Sequence, residues 1–417
     1  MRNTLKAATL ESKFPLLAVE ADCIISKDAD ITAVFEVELP ELFTVTAAEY
    51  EAIHAAWAKA IKVLPNYTVV HKQDWFIRED YRSQTDKENL SFLSRSYEMH
   101  FNERPFLNHK CYLYLTKTTK ERMRMQSSFS SLCRGFIIPK EVDKDTTAHF
   151  LDTVGQFARI VNDTGLVHLR RLVGDEITGT EDKAGLVEKY FCLSMENTTA
   201  LEDIELGDDG LRVGDKHVSV HTLSELDALP NKVGTDCRYE RLSTDKSDCK
   251  LSFASPVGLL LSCNHLYNQY IFLDDSGENL QRFEKSARNM QSLSKYSRSN
   301  QINKEWLDEY LNEAHSNGLQ SVRCHCNIIA WAENGNELRR VKNDVGSALA
   351  LMECTPHHNT TDLPALYWAG IPGNEADFPA EETFYTFTGQ ALCFFTAETC
   401  YRNSLSPFGI RMVDRLT

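Results

Sequence analysis

The chain has 417 residues, too many for one ordinary core, so two or three domains are expected. A hydrophobic content of 42% with 10% aromatics is enough to bury such cores and excludes a disordered chain. The formal net charge of -15 argues against wholesale binding of nucleic acid, which needs a cationic surface to release counterions, and leaves only a local basic stripe open.

No stretch reaches the roughly 18 apolar residues of a membrane span; "VGLLLSC" (257–263) is among the longest apolar runs. The start, "MRNTLKAATLESKFPLL", lacks the apolar run of a signal peptide. The 12 cysteines are scattered singly from Cys23 to Cys400, which reads as reduced thiols in a cytoplasm. Docking against a membrane complex stays open; spanning does not.

The first strand is "ITAVFEVEL" (31–39), where Ile31, Ala33, Phe35, Val37 and Leu39 alternate. Thr46 with Glu49 three residues on is a capping box, and Tyr50, Ile53, Trp57, Ile61 and Leu64 follow at helical spacing until Pro65. "YTVVHKQDWFI" (67–77) and "CYLYLT" (111–116) are further strands. A helix is expected over 146–162, and "LRVGDKHVSVHT" (211–222) reads as a hairpin turning at Gly214-Asp215. "LYNQYIFLDD" (266–275) is a strand running into a turn, followed by one helical face of Leu280, Phe283, Ala287 and Met290. A second helix carries Ile302, Trp306, Tyr310, Leu311 and Ala314 and ends near Gly318. "SVRCHCNIIAW" (321–331) is a strand, Leu338, Val341, Val345, Leu349 and Met352 form a third helix, and "LPALYWAGIP" is read as one more strand.

The expected class is α+β: two α/β sandwich-like units of ferredoxin-like character with a middle insertion and no phosphate-loop domain. The boundaries are 1–140, 141–250 for the insertion with its hairpin, and 251–417.

Four constellations could carry chemistry. "YIFLDDS" (270–276) looks like the acidic strand that holds magnesium in phosphate-loop ATPases, but its partner G-x-x-x-x-G-K-[ST] is missing, since the chain has no Gly-Lys dipeptide. Asp274 and Asp275 are therefore read as a strand-end turn capping the next helix. Cys324 and Cys326 share a strand face, and Cys354 and His357 have C-x-x-H spacing; the four could close a zinc site, or the strand cysteines could be core. Cys263 and His265 lie on one strand face, as a dyad would, but no local signature singles out a nucleophile, and such a pair is more often packing than a dyad. Arg282, Lys285, Arg288, Lys295 and Arg298, with "KTTKERMRM" (117–125), form a basic stripe that is either a solvated face paired with Glu278 and Glu284 or a docking face for an acidic partner or neighbouring subunit. "YWAGIPGNEADFP" (367–379) has Gly370 and Gly373 but no following Lys or hydroxyl, so it is a turn and not a phosphate cradle.

The blocks "MRNTLKAATLESKFPLLAVE", "ISKDADITAVFEVELPELFTVTAAEYE", "FLSRSYEMHFNERPFLNHKCYLYLTKT", "YSRSNQINKEWLDEYLNEAH", "LYWAGIPGNEADFPAEETFYTF" and "LSPFGIRMVDRLT" closely resemble the TraG family of conjugative-transposon ATPases, of the class that energises type IV secretion and conjugation. The resemblance runs from Met1 to Thr417. It implies a cytoplasmic motor subunit, hexameric when complete, peripheral at the inner face of the inner membrane and docked at the base of a DNA-transfer channel. In that family an N-terminal α+β region contacts the channel and neighbouring subunits, and a C-terminal RecA-like domain carries the phosphate loop. This chain ends at "MVDRLT", where the connection to the motor is expected, so ATP and magnesium are implied only for a motor it lacks. The resemblance thus leads to a non-catalytic interaction and assembly region with no catalytic, cofactor or metal residues and no direct nucleic-acid contact. The rivals are a metal-dependent enzyme using Cys324, Cys326, Cys354 and His357, and a nucleic-acid adaptor using the basic helix face.

Overall fold

The computed structural model describes residues 8–80, 105–136, 144–196, 201–207, 210–293, 297–358 and 362–400, with a few isolated positions between 92 and 99. Lys295 and the block "LSPFGIRMVDRLT" lie outside the described residues.

The α+β class is as expected, and one sheet of 13 strands dominates it. Its strands are β1 (Leu16–Glu20), β2 (Cys23–Ser26), β3 (Ile31–Glu38), β4 (Thr68–Asp80), β5 (Pro105–Lys117), β6 (His168–Arg171), β7 (Ile204–Gly207), β8 (Gly210–Val213), β9 (Lys216–Leu223), β10 (His265–Leu273), β11 (Ser321–Ala332), β12 (His357–His358) and β13 (Phe384–Phe387). The spatial order is β1-β2-β3-β5-β4-β10-β11-β9-β8-β7, with β6, β12 and β13 pairing at β3, β9 and β11. Every pairing in it is antiparallel. The join between β4 and β10 runs from His265 opposite Phe76 to Leu273 opposite Thr68, so strands distant in sequence form the middle of the sheet.

Helices cover both faces. On one lie α1 (Ala47–Ile61), α2 (Lys144–Asn162) and the later helix α6 (Gly335–Leu351), whose apolar residues share a core with Phe35, Leu113, Ile271 and Ile328. On the other, α3 (Leu186–Cys192) and α7 (Leu363–Ala369) pack on Tyr114, Trp75, Tyr270 and Trp331. An antiparallel sheet commonly leaves one face to solvent; here all nine residues of β10 and all twelve of β11 are buried. Polar residues on these strands therefore enter the core.

Local signals account for the helices. Thr46 and Glu49 form the expected capping box, and Tyr50, Ile53, Trp57 and Ile61 bury the apolar side of α1. Asn334 caps α6, which buries Leu338, Val341, Val345 and Leu349. Gly214 turns the β8–β9 hairpin with φ +58°. Between β10 and β11 stand α4 (Ser276–Leu293) and α5 (Arg298–Asn317), an antiparallel pair ended by Gly318 at φ +59°. Two expectations are corrected here. "LPALYWAGIP" is not a strand: Pro364 sits in the first turn of helix α7, where its missing N–H costs nothing. Trp306, counted with the inner face of α5, is instead 62% exposed.

No helix among the described residues is long and apolar enough to cross a membrane.

Candidate functional site

The centre of the sheet is built from "HKQD" (71–74) on β4. Successive strand residues point to opposite faces, so Lys72 and Asp74 enter one core and His71 and Gln73 the other. All four are buried completely.

Lys72 Nζ donates to Asp74 Oδ1 and Oδ2 at 2.8 and 2.6 Å, and also to Thr396 Oγ1. Asp74 further accepts from Thr396 Oγ1 at 2.8 Å and Gln269 Nε2 at 3.0 Å, and His109 Nε2 lies 2.9 Å away. The other imidazole nitrogen of His109 meets Thr399 Oγ1 at 2.9 Å. Burial pushes the Asp74 carboxyl up, but Lys72 and His109 outweigh it and hold the group well below the usual carboxylate range. Burial likewise pushes Lys72 down and Asp74 outweighs it, leaving the ammonium more firmly protonated. Phe76 stacks between His109, 4.3 Å centroid to centroid, and His265 at 4.6 Å. Carboxylate, imidazole and ammonium together are the materials of acid–base chemistry. Here their donors and acceptors are engaged with one another and with Thr396, Thr399 and Gln269, and Lys72, Asp74 and His109 are all buried.

The opposite face carries an amide ladder. Gln73, Asn268 and Asn327 stand directly opposite one another on β4, β10 and β11. Gln73 Nε2 donates to Asn268 Oδ1 at 2.9 Å, Asn268 Nδ2 to Asn327 Oδ1 at 2.8 Å, and Asn327 Nδ2 lies 3.0 Å from His325 Nε2. His325 Nδ1 is 2.6 Å from the Glu382 carbonyl. That carbonyl can only accept, so Nδ1 carries the proton and Nε2 receives the Asn327 donor. Burial pushes the His325 pKa down to about 3, which keeps this neutral tautomer. Trp75 Nε1 and Tyr114 Oη close the other end by donating to Gln73 Oε1. A slip in strand register would leave these amides facing apolar neighbours.

"YWAGIPGNEADFP" seals this second face. The Gly370 carbonyl accepts from Gln73 Nε2 at 3.3 Å. Glu375 Oε2 accepts from Thr116 Oγ1 at 2.8 Å, and its Oε1 from the Gly373 N–H at 3.0 Å. Asp377 accepts from Ser130 Oγ at 2.6 Å and the Ser131 N–H at 3.0 Å, and Phe378 packs on Tyr270. Gly373 has φ +91°, and a Cβ there would meet Ile24 Cγ2 at 2.5 Å. The turn reading holds, but the turn is core and not a surface loop.

The residues singled out from the sequence fall as follows. Asp275 Oδ1 accepts from the Glu278 N–H at 3.0 Å and caps α4, as expected. Asp274 does not cap: it is buried and pairs with Arg323, Nε to Oδ2 2.6 Å. Cys324 and Cys326 point into the core below α6 together with Cys354. Burial and Cys324 push the Cys326 thiol well up, and burial followed by Cys326 pushes Cys354 to about 12. No group of three or more His, Cys, Asp or Glu that could hold a metal ion is assembled among the described residues. The side chain of His357 lies outside the described residues. Both His265 ring nitrogens face backbone carbonyls, Nδ1 2.8 Å from that of Cys263 and Nε2 3.0 Å from that of Val257, and a neutral ring donates to one of them; neither nitrogen is directed at the Cys263 sulfur. Burial pushes Cys263 up to about 12 and His265 down to about 4.

The basic stripe is partly neutralised within the chain. Arg282 stacks on Tyr385, 4.8 Å from its centroid, and Arg288 pairs with Glu284 at 3.6 Å. In the 117–125 cluster, Lys120 pairs with Glu278 at 2.6 Å and Arg122 with Asp28 and Asp30 at 2.7 and 2.8 Å.

The buried ionic clamp and amide ladder were not singled out from the sequence. The signal was four polar residues in the middle of an otherwise apolar strand, but polar strand positions normally face water.

No curated protein matches the chain. A family model described as "Domain of unknown function, B. Theta Gene description (DUF3875)" matches residues 3–55, a stretch that takes in β1, β2, β3 and the first turns of α1.

Proposed function

We propose that the chain is a non-catalytic interaction and assembly region of a conjugation-system ATPase of the TraG type, docking at the inner face of the inner membrane against components of a type IV secretion channel. On this reading neighbouring subunits of a hexamer meet through the complete protein, and ATP and magnesium belong to its motor domain. The blocks of sequence that resemble that family support it. The structural observation that carries it is the α4–α5 hairpin, which presents charged stripes and the 62% exposed Trp306 on a platform whose own polar centre is closed. Exposed tryptophans are the side chains on which interfaces most often depend. The test is co-sedimentation with inverted inner-membrane vesicles from cells that carry or lack the transfer apparatus. Saturable binding confined to the apparatus-bearing vesicles is expected; equal binding to both, or to neither, would overturn the reading.

A further inference from the structure

The amide ladder across β4, β10 and β11 has a direction, and that direction fixes a proton. From the Glu382 carbonyl inward, His325 Nδ1 donates, His325 Nε2 accepts from Asn327 Nδ2, and Asn327 Oδ1 accepts from Asn268 Nδ2. Asn268 Oδ1 is then an acceptor, reached by Gln73 Nε2 at 2.9 Å and by His71 Nε2 at 3.0 Å. His71 therefore carries a proton on Nε2.

Its other nitrogen, Nδ1, has no hydrogen-bond partner among the described residues and lies 3.8 Å from Glu375 Oε1. Both side chains are completely buried. A neutral ring would turn a bare lone pair towards a buried carboxylate, acceptor against acceptor. The neighbours supply no positive charge in its place. Glu375 takes its hydrogen bonds from the uncharged Thr116 Oγ1 and Gly373 N–H. Tyr270 on β10 and Tyr114 on β5 stack on the imidazole at 3.9 and 5.1 Å; burial, followed by Glu375, pushes both phenols well up and keeps them neutral. His325 on β11 is neutral, and Tyr190 on α3 donates to the Tyr367 carbonyl at 2.7 Å. Arg122 is committed to Asp28 and Asp30, with Asp377 at 4.0 Å, and Lys72 pairs with Asp74 on the opposite strand face.

We infer that His71 is held as an imidazolium, whose Nδ1 proton pairs it with Glu375 and latches the 370–379 seal to the middle of the sheet. The latch is a proton switch. A proton kept by the fold where the unfolded imidazole would have released it stabilises the closed form, so this contribution is present on the acid side and lost as pH rises. Its loss leaves Glu375 as an unpaired buried carboxylate. Because Glu375 Oε1 also holds the Gly373 N–H, the disturbance falls on the turn itself.

Nuclear magnetic resonance of the full chain with ¹⁵N-labelled histidine tests this at about pH 7. The His71 ring is identified by its contacts with the Tyr114 and Tyr270 rings, and by its loss in His71→Gln, which keeps an amide donor for Asn268. Protons on both ring nitrogens are expected in the wild type, and a neutral ring protonated on Nε2 alone in Glu375→Gln. Amide exchange, corrected for its intrinsic pH dependence, reads the latch. His71→Gln should lower protection at Gly373, Asn374 and Asp377 by at least about tenfold while β11 keeps its own, and His71→Gln/Glu375→Gln should restore it. Raising the pH should lower protection of the wild-type seal and leave the double variant unmoved. A bare Nδ1 in the wild type, an imidazolium that persists in Glu375→Gln, or a seal indifferent to His71→Gln would overturn the inference. The wild-type spectrum decides even where a substituted chain does not fold.

Discussion

Replacing Asp74 by alanine removes the acceptor on which the whole clamp converges. Lys72 Nζ, His109 Nε2, Gln269 Nε2 and Thr396 Oγ1 all lie within 3.0 Å of its carboxylate or its lysine partner. Both members of the ion pair have no solvent exposure. Breaking a buried pair from one side leaves an uncompensated charge and costs about 3–5 kcal/mol; the orphaned amide donor adds about 1 kcal/mol or more where it cannot find water. Asp74→Ala should therefore destabilise by about 4 kcal/mol or more, whereas Lys72→Met/Asp74→Leu, which removes both charges, should cost clearly less. With Lys72→Met and Asp74→Leu as the single variants, the coupling in the double-mutant cycle should exceed about 2 kcal/mol. Urea unfolding followed by tryptophan emission and far-ultraviolet dichroism reads it. The pH dependence is fixed in sign. The Asp74 pKa is depressed in the fold, so its contribution is complete above the free-carboxylate range and is lost as pH falls toward the folded value. Asp74→Ala should flatten that acid limb. A single variant costing under about 1 kcal/mol, or a double variant no better than the single, would refute the claim that the clamp is a coupled buried pair.

Three further outcomes follow from the same core. Gly373→Ala should destabilise by about 1–3 kcal/mol in a thermal melt, because φ +91° and the Ile24 contact both resist a Cβ. Glu398 is buried and accepts from the Ser252 N–H and Oγ at 3.1 and 2.9 Å, yet burial raises its pKa. A raised carboxyl pKa gives stability that is present below the unfolded value and lost as pH rises through the folded one, so Glu398→Gln should be at least as stable as the wild type at about pH 8 and should flatten the fall from about pH 5; a lower Tm at about pH 8 would contradict this. Thiol labelling of the native chain should modify exposed Cys133 first and leave Cys324, Cys326 and Cys354 unreactive until unfolding, as mass spectrometry of the labelled sites will read.

Much of the scaffold was legible because its signals are local. The Thr46–Glu49 box, the Gly214 turn and the helical spacing of Leu338, Val341, Val345 and Leu349 each need only a few neighbouring residues to act. "LPALYWAGIP" misled because a short, almost unbroken apolar run has no period, and length does not separate a buried strand from a buried helix. Pro364 directly after Leu363 was the available hint of a helix start. Trp306 fits the apolar spacing of α5 and still lies outside, because spacing reports what could be buried and not what covers it. The clamp at Lys72 and Asp74 was hidden for a tertiary reason: β4 is central only because β10, some 190 residues later, pairs along it. The same remoteness hides the seal of Gly370 and Glu375 over Gln73 and Thr116.

The central claim, that this chain assembles but does not turn over nucleotide, is tested most directly by magnesium-dependent ATP hydrolysis with the purified 417-residue protein. The account predicts a rate at the level of a no-protein control, unchanged by Asp274→Asn/Asp275→Asn, since those residues pair with Arg323 and cap α4. Turnover well above that control, lost in the Asp274→Asn/Asp275→Asn variant while its fold is retained, would contradict it.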